Sequence, residues 1–361
     1  MSVPPAVLTL NSGSSSLKAA LFRADGSRRT WSYAPLGAGH ALDHDAAVHA
    51  LLADLDGETP GAIGHRFVHG GDVADAARRL DAAEIARLEA LVPLAPLHLP
   101  ANLLGVALCA RHFDVPQVAC FDTAFHHTLP EVARRLPIPA ALGLRRYGFH
   151  GLNYAWLARR LPALLGPRAH GRVVAAHLGA GASLCLLDDL RSVDTSMGYS
   201  PAGGIPMATR SGDLDPGVML ELARRHDAER LGRLVYEEMG LVALADGESA
   251  DMRTLLHSPS PAAAFAVDYF CRAVRGAIGA FAAKAGGIDA LVFSGGIGEN
   301  AAAVRAAICA PLDFLGFALD PAANAANATF LGAAGSKPVL RIAADEEAVI
   351  RDLVLHTLAA P

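Results

Sequence analysis

The sequence predicts an α/β protein built from two similar halves, and three observations carry that expectation. An apolar run at 7–10, a small polar stretch at 11–16 and a second apolar run at 17–22 read as strand, tight turn, strand. The arrangement returns at 173–176, 178–183 and 184–187; setting Ser16-Leu17 against Ser183-Leu184 puts Val7 opposite Val174 without a gap. Helical stretches are interspersed with apolar strand-like runs along the chain, which favours α/β.

In chain order, each half opens with a hairpin whose turn lacks bulky side chains. Helices are expected at 82–91, 216–225, 261–285 and 301–310. The 261–285 stretch follows Ser260, a good N-cap, and is closed by Gly286-Gly287. The run 288–293 is apolar with β-branched and aromatic members and reads as a buried strand. The Ala/Pro/Asn stretch 321–329 reads as a surface loop.

At about 150 residues per domain, 361 residues imply two or three domains. Hydrophobic residues at 52% against charged residues at 19% supply sizeable cores and exclude a mainly disordered chain. A net charge of −5 argues against broad electrostatic binding to nucleic acid. The five cysteines are widely spaced with no C-x-x-C pair, and so read as small buried hydrophobes rather than a disulfide frame or zinc site. No basic region precedes an apolar signal sequence at the N-terminus, and no uncharged apolar run reaches about 18 residues. A soluble cytoplasmic protein with no membrane partner is expected.

Several motifs carry chemistry. Asn11-Ser-Gly-Ser-Ser-Ser-Leu-Lys18 offers backbone N–H groups, hydroxyls and one ammonium around a turn suited to phosphate, without being a Walker A loop. The blander reading is a flexible serine-rich turn. His177-Leu178-Gly179-Ala180-Gly181 is the second such turn, and its glycines permit close backbone approach to a phosphate. Ser294-Gly-Gly296-Ile297-Gly298-Glu299-Asn300 follows a strand and precedes an alanine-rich helix, where a ligand can lie against backbone. Arg66 and Arg210 each sit in glycine-flanked segments, and a guanidinium forks onto carboxylate or phosphate. Phe149-His150-Gly151 sets an aromatic and a histidine beside a glycine. Asp122 ends an apolar run, a common place for a magnesium ligand. The triplet Asp345-Glu346-Glu347 offers a second ligand or simply the acidic start of the last helix.

In this order, NSGSSSLK, GHRFVHGG, APLHLPAN, FDTAFHHTLP, RRYGFHG, HLGAGAS, SVDTSMG, ATRSGDLDP, SGGIGEN and ADEE resemble the acetate kinase family of the sugar kinase/actin/chaperone ATPase superfamily. The resemblance runs nearly end to end. It implies two duplicated actin-like, ribonuclease H-like ATPase domains with an interdomain active-site cleft. One domain would span 1–123 plus a returning helix at 347–361, the other 124–346. The implied activity is reversible, Mg²⁺-dependent phosphoryl transfer from ATP to acetate, giving acetyl phosphate and ADP, with Mn²⁺ as a substitute metal. The family is homodimeric, so a dimer is expected.

Position by position, the resemblance implies that Asn11 and Glu346 help hold Mg²⁺ and that Lys18 lies near the nucleotide phosphates. Arg66 would bind the substrate carboxylate, and Val68, Leu97, Phe149 and Pro201 would line a small apolar pocket for its alkyl end. Asp122 would be the catalytic carboxylate, positioning Mg²⁺ or acting on protons. His150 and Arg210 would stabilise the phosphoryl group in flight. His177, Leu178, Gly179, Ala180 and Gly181 would contact ATP phosphates. Asp251, Met252 and Arg253, with Gly296, Ile297, Gly298, Glu299 and Asn300, would contact the adenosine side. A short-chain carboxylate is already ionised at pH 7, so the nucleophile needs no general base and the task is to bring two anions together.

The chain departs from the family pattern at Ala180, where asparagine is common, and at Ala208, where glycine is common. It is also some tens of residues shorter than typical members. The alternatives are a propionate or butyrate kinase of the same family, use of pyrophosphate or another phosphate donor, and a nucleotide-binding regulator without turnover.

Overall fold

The computed structural model describes residues 5–13, 16–34, 36, 43–96 and 98–359. The chain divides into two units, each organised around its own sheet. Unit 1 comprises Met1–His127, Phe149–Trp156 and Asp345–Pro361; unit 2 comprises Thr128–Gly148 and Leu157–Ala344.

The sheet of unit 1 contains β1 (Val7–Ser12), β2 (Leu17–Phe22), β3 (Arg28–Tyr33), β4 (Ala62–Phe67), β5 (Ala77–Arg79) and β6 (Gln117–Phe121) in the order β3-β2-β1-β4-β6-β5. Strands β3, β2 and β1 form an antiparallel meander, and β4 and β6 continue in parallel. Unit 2 contains β7 (Val173–Leu178), β8 (Ala182–Asp188), β9 (Arg191–Thr195), β10 (Ala290–Ser294) and β11 (Val339–Arg341) in the order β9-β8-β7-β10-β11. Its meander β9-β8-β7 is again antiparallel, and β10 and β11 are again parallel. The duplication expected from the two hairpins is therefore a duplication of sheet order.

The gapless alignment of the hairpins does not survive. Ser12 pairs with Leu17 across residues 13–16, whereas Leu178 pairs with Ala182 across residues 179–181. The second turn is one residue shorter, and an alignment that carries Val7 to Val174 loses register through the strands.

The apolar character of β1 follows from cover on both faces. Leu8 and Leu10 pack with Ala47, Val48 and Leu51 of helix His44–Asp54 and with Leu108 and Cys109 of helix Leu99–His112. Val7 faces the other way, onto Val349, Ile350 and Val354 of the C-terminal helix Glu346–Ala359. Alternate residues thus meet different layers, and a strand buried on both faces reads as a continuous hydrophobic run. Gly64 on β4 lets that helix lie close, because a Cβ there would overlap the side chains of Ile350 and Val354. All five cysteines are buried free thiols.

Helices Ala82–Ala90, Pro216–Arg225, Pro261–Ala285 and Ala302–Cys309 stand within one residue of their expected bounds. Ser260 occupies the N-cap position but makes no side-chain capping bond, and Gly286 closes the helix in the left-handed conformation at φ 67°. The stretch 321–329 is not simply a loop: Pro321–Ala325 is a short helix, with the Asp320 side chain accepting from Ala323 N at 2.8 Å. Asp at the N-cap and Pro at the first turn outweigh the weak apolar pattern that made the stretch read as irregular. No helix among the described residues is long and apolar enough to cross a membrane.

Candidate active site

In unit 1 the candidate residues converge at the C-terminal ends of β1, β4 and β6. Arg66, near the end of β4, donates from Nε (2.9 Å) and Nη2 (2.6 Å) to Oδ2 of Asp122, the residue after β6. Its Nη1 donates to Asn11 Oδ1 at 3.0 Å. The Asn11 amide in turn donates to Glu346 Oε2 at 2.7 Å and Glu347 Oε1 at 3.0 Å. Four residues named from the sequence, Asn11, Arg66, Asp122 and Glu346, are thus one hydrogen-bonded chain. A guanidinium carries five N–H bonds. Asp122 and Asn11 engage three among the described residues, leaving one on Nη1 and one on Nη2 for a ligand.

Burial sets the electrostatics. Asp122 is fully buried, and desolvation pushes its carboxyl upward against the pull of Arg66, with the Glu346 charge adding to the rise. Burial alone lowers Arg66, but Asp122 and Glu346 hold it above its ordinary value, so it is a cation at any working pH.

Two participants escaped the sequence reading. Glu347 shares the Asn11 amide with Glu346, and only its place in the acidic triplet 345–347 hinted at this. Arg28 on β3 donates to both oxygens of Asp345 at 2.9 and 2.8 Å and lies 3.6 Å from Glu347. Nothing around Arg28 in the sequence marks it, because the pairing spans more than three hundred residues.

His150 adopts φ 59°, an uncommon conformation for a side chain larger than glycine. It precedes helix Gly151–Leu165, and a Cβ at Gly151 would overlap the Asp122 carbonyl. The Phe149 carbonyl accepts from the buried His126 Nε2 at 2.9 Å, which anchors the approach to His150. Val68 and Phe149 are both buried, and the ring of His69 meets Phe149 edge-on with centroids 5.7 Å apart. Leu97 lies outside the described residues. Lys18 is exposed on β2, opposite Asn11 in the hairpin register.

Unit 2 assembles its candidates through backbone. Gly179 N donates to Gly181 O at 3.1 Å across the turn after β7, and Ala180 O accepts from Ala208 N at 3.0 Å. The loop carrying Arg210 is therefore seated against that turn. Arg210 is buried and donates from Nη1 to Pro201 O at 2.7 Å. Gly295, at φ 77°, sits where a Cβ would lie 2.7 Å from Leu178 O, which presses the start of helix Gly295–Asn300 onto the end of β7. The glycine turn expected here is itself this short helix.

Glu299 turns one oxygen inward, accepting from Gly295 N at 3.0 Å and Ala344 N at 2.9 Å. Asn300 donates to Gly296 O at 2.9 Å, and Gly296 is exposed while Gly298 is buried. Asp251 caps helix Met252–His257 by accepting from Thr254 N; Met252 is a core residue and Arg253 is exposed.

The donor set around Asn11 suits a hard cation. Among the described residues no three His, Cys, Asp or Glu side chains gather as a ready metal cluster. The available groups are carboxylate and amide oxygens, the pattern of Mg²⁺, which keeps waters and shares substrate phosphates. Four carboxylates (Asp122, Asp345, Glu346, Glu347) against two guanidiniums (Arg28, Arg66) give the cluster two formal negative charges.

Residues 37–352 match the acetokinase family. The chain belongs to that family. An acetate kinase of Rhodopseudomonas palustris is 43% identical over 359 aligned positions, covering 88% of this chain and 89% of its own. A propionate kinase of Citrobacter rodentium is 44% identical over 310 positions, covering 81% and 76% respectively. The crystal structure of a propionate kinase from Francisella tularensis superposes with a TM-score of 0.87 at 30% identity, covering 97% of this chain and 99% of that one. Family members are phosphotransferases with a carboxyl group as acceptor, and the paired sheets are those of the family fold.

Proposed function

We propose that the protein is an acetate kinase, transferring the γ-phosphoryl group of ATP reversibly to acetate and yielding acetyl phosphate and ADP. The observation that carries this reading is Arg66: a half-buried, permanently charged guanidinium, oriented by the fully buried Asp122 and by Asn11, with two N–H bonds left to fork onto a small carboxylate. The alkyl end of the acid would meet Val68, Phe149 and Pro201. Asp122 orients Arg66 and would be the catalytic carboxylate that positions Mg²⁺, because acetate attacks as an anion and needs no general base.

Arg210 and His150 would stabilise the phosphoryl oxygens as charge spreads over them, and fixed donors do this without reorganising. The turn at 177–181 would hold the nucleotide phosphates through backbone N–H groups, with Lys18 adding a point charge near them. Asp251–Arg253 and Gly296–Asn300 would face the adenosine. Asn11 and Glu346 would hold Mg²⁺, helped by Glu347; Mg²⁺, or Mn²⁺ in its place, neutralises phosphate charge when bound. We also read the protein as a cytoplasmic homodimer, after the family.

The test is a hydroxylamine trap for acyl phosphate, with Mg-ATP and acetate, propionate or butyrate in turn. Acetate should yield the strongest signal. Propionate is the second reading, supported by the propionate kinases among the relatives, and a propionate optimum would keep the mechanism and change the substrate. One methylene is worth only about 1–3 kcal/mol in such a pocket. No trapped product from any acid, with ADP still raising the melting temperature, would leave a nucleotide-binding regulator.

A further inference from the structure

The loop 207–210 presents Arg210, and its backbone is committed on two sides. On one side Ala208 N donates to Ala180 O, and Met207 N closes the loop on Arg210 O at 2.9 Å. On the other lies the segment 236–242. Met239 N donates to Thr209 O (3.0 Å), Leu241 N to Met207 O (2.9 Å) and Val242 N to Ala208 O (3.1 Å). The Thr209 hydroxyl returns a bond to Tyr236 O at 2.7 Å.

These bonds answer a need of the segment itself. Leu241–Leu244 is a short helix, and the first N–H groups of any helix lack internal partners. Leu241 and Val242 are such groups, and the carbonyls of the 207–210 loop serve as their cap. The close approach is possible only at Gly240. Its φ of 72° with ψ of −142° is a region reserved in practice for glycine. A Cβ there would overlap Met207 O and lie 2.5 Å from Arg210 O and 2.9 Å from Arg210 N.

We propose that Gly240 and Thr209 are positioning residues for Arg210, setting through the 236–242 segment where its guanidinium stands. The proposal rests on the reading of Arg210 as a phosphoryl-stabilising residue. Gly240 lies against the backbone of Met207 and Arg210, so its substitution should act through Arg210 on turnover, not on the binding of either substrate. A displacement of about 1 Å in such a group can cost about 100-fold in rate.

The experiment measures kcat and both KM values for Gly240→Ala, Thr209→Val, Thr209→Ser and Arg210→Ala, and for Gly240→Ala combined with Arg210→Ala. Gly240→Ala should lower kcat by about 100-fold and Thr209→Val by about 10-fold, with the KM for ATP and for the carboxylate within about twofold. Thr209→Ser, which keeps the hydroxyl, should restore turnover. In the Arg210→Ala background Gly240→Ala should cost nothing more, because the group it positions is gone. A merely structural glycine would multiply the two losses, and that result overturns the proposal, as does wild-type kcat in folded Gly240→Ala. If Gly240→Ala fails to fold, equal kcat in Thr209→Val and Thr209→Ser overturns it. Full turnover by Arg210→Ala removes the reading of Arg210 and the proposal together, which distinguishes that failure from one confined to Gly240.

Discussion

In unit 1 the important groups are held by one another's side chains, whereas in unit 2 they are held by backbone. Asp122, Arg66, Asn11, Glu346 and Glu347 form a chain of charged and amide groups drawn from β6, β4, β1 and the C-terminal helix. The turns at 179–181 and 207–210 instead exchange N–H and C=O groups, with glycines at Gly240 and Gly295 where two backbones come close. Under the proposed function the difference follows from the task. A small carboxylate needs a fixed cation, and a buried cation persists only with its counter-charges built in. A polyphosphate can be met by N–H dipoles, which need no counter-charge but demand exact backbone paths.

The comparison predicts opposite sensitivities. The largest effect is expected from Arg66→Met, which leaves the buried Asp122 without its cation. Breaking a buried pair from one side costs about 3–5 kcal/mol, so urea unfolding should show a loss of that order, and turnover should fall by about 1,000-fold or more. A stable, active Arg66→Met protein would mean that the side-chain chain in unit 1 is not what holds its geometry.

A second effect lies in the pH dependence of unit 1. His65 and His126 are buried, each donating one ring N–H, to Gln117 Oε1 at 2.6 Å and Phe149 O at 2.9 Å. Burial lowers each from 6.5 to about 4. The unfolded chain therefore takes up protons near 6.5 while the folded chain stays neutral to about 4. Stability is complete above pH 6.5 and declines as pH falls toward 4, by up to about 3 kcal/mol for each histidine. Urea midpoints at pH 7 and pH 5 measure this, and His126→Gln should flatten the slope. A midpoint independent of pH over that window would rule it out.

The smallest effects should separate neighbouring backbone positions in unit 2. Gly295→Ala places a methyl against Leu178 O at a positive φ and should cost about 1–3 kcal/mol. Ala180→Asn adds an exposed side chain and leaves the Ala180 carbonyl bonded to Ala208, so its cost should stay within about 0.5 kcal/mol. Equal melting temperatures for the two variants would show that backbone approach is not the constraint.

Much of the fold was legible because it is written locally. Strand, turn and strand at 7–22 and 173–187 follow from burial on two faces and from small turn residues, and helix Pro261–Ala285 from the serine before its start and the glycines after its end, although Ser260 makes no side-chain capping bond. The stretch 321–329 was misread because its signal is a cap, Asp320, rather than a periodicity. The hairpin alignment slipped because turn length is decided by pairing across strands, which no local run records.

For the site, residue types made Arg66, Asp122, His150 and Arg210 candidates only, and it was the motif order, through the family resemblance, that gave them expected roles. The sequence by itself therefore determined the duplicated α/β plan, the inventory of cations and carboxylates, and the class of reaction. Only the tertiary structure decided that Glu347 shares the Asn11 amide, that Arg28 faces Asp345, and that Gly240 lies against the backbone of Arg210. The physical reason is range. Propensity, capping and turn chemistry act over a few residues, whereas ion pairs and close backbone contacts are chosen by sheet order and helix packing between segments tens to hundreds of residues apart.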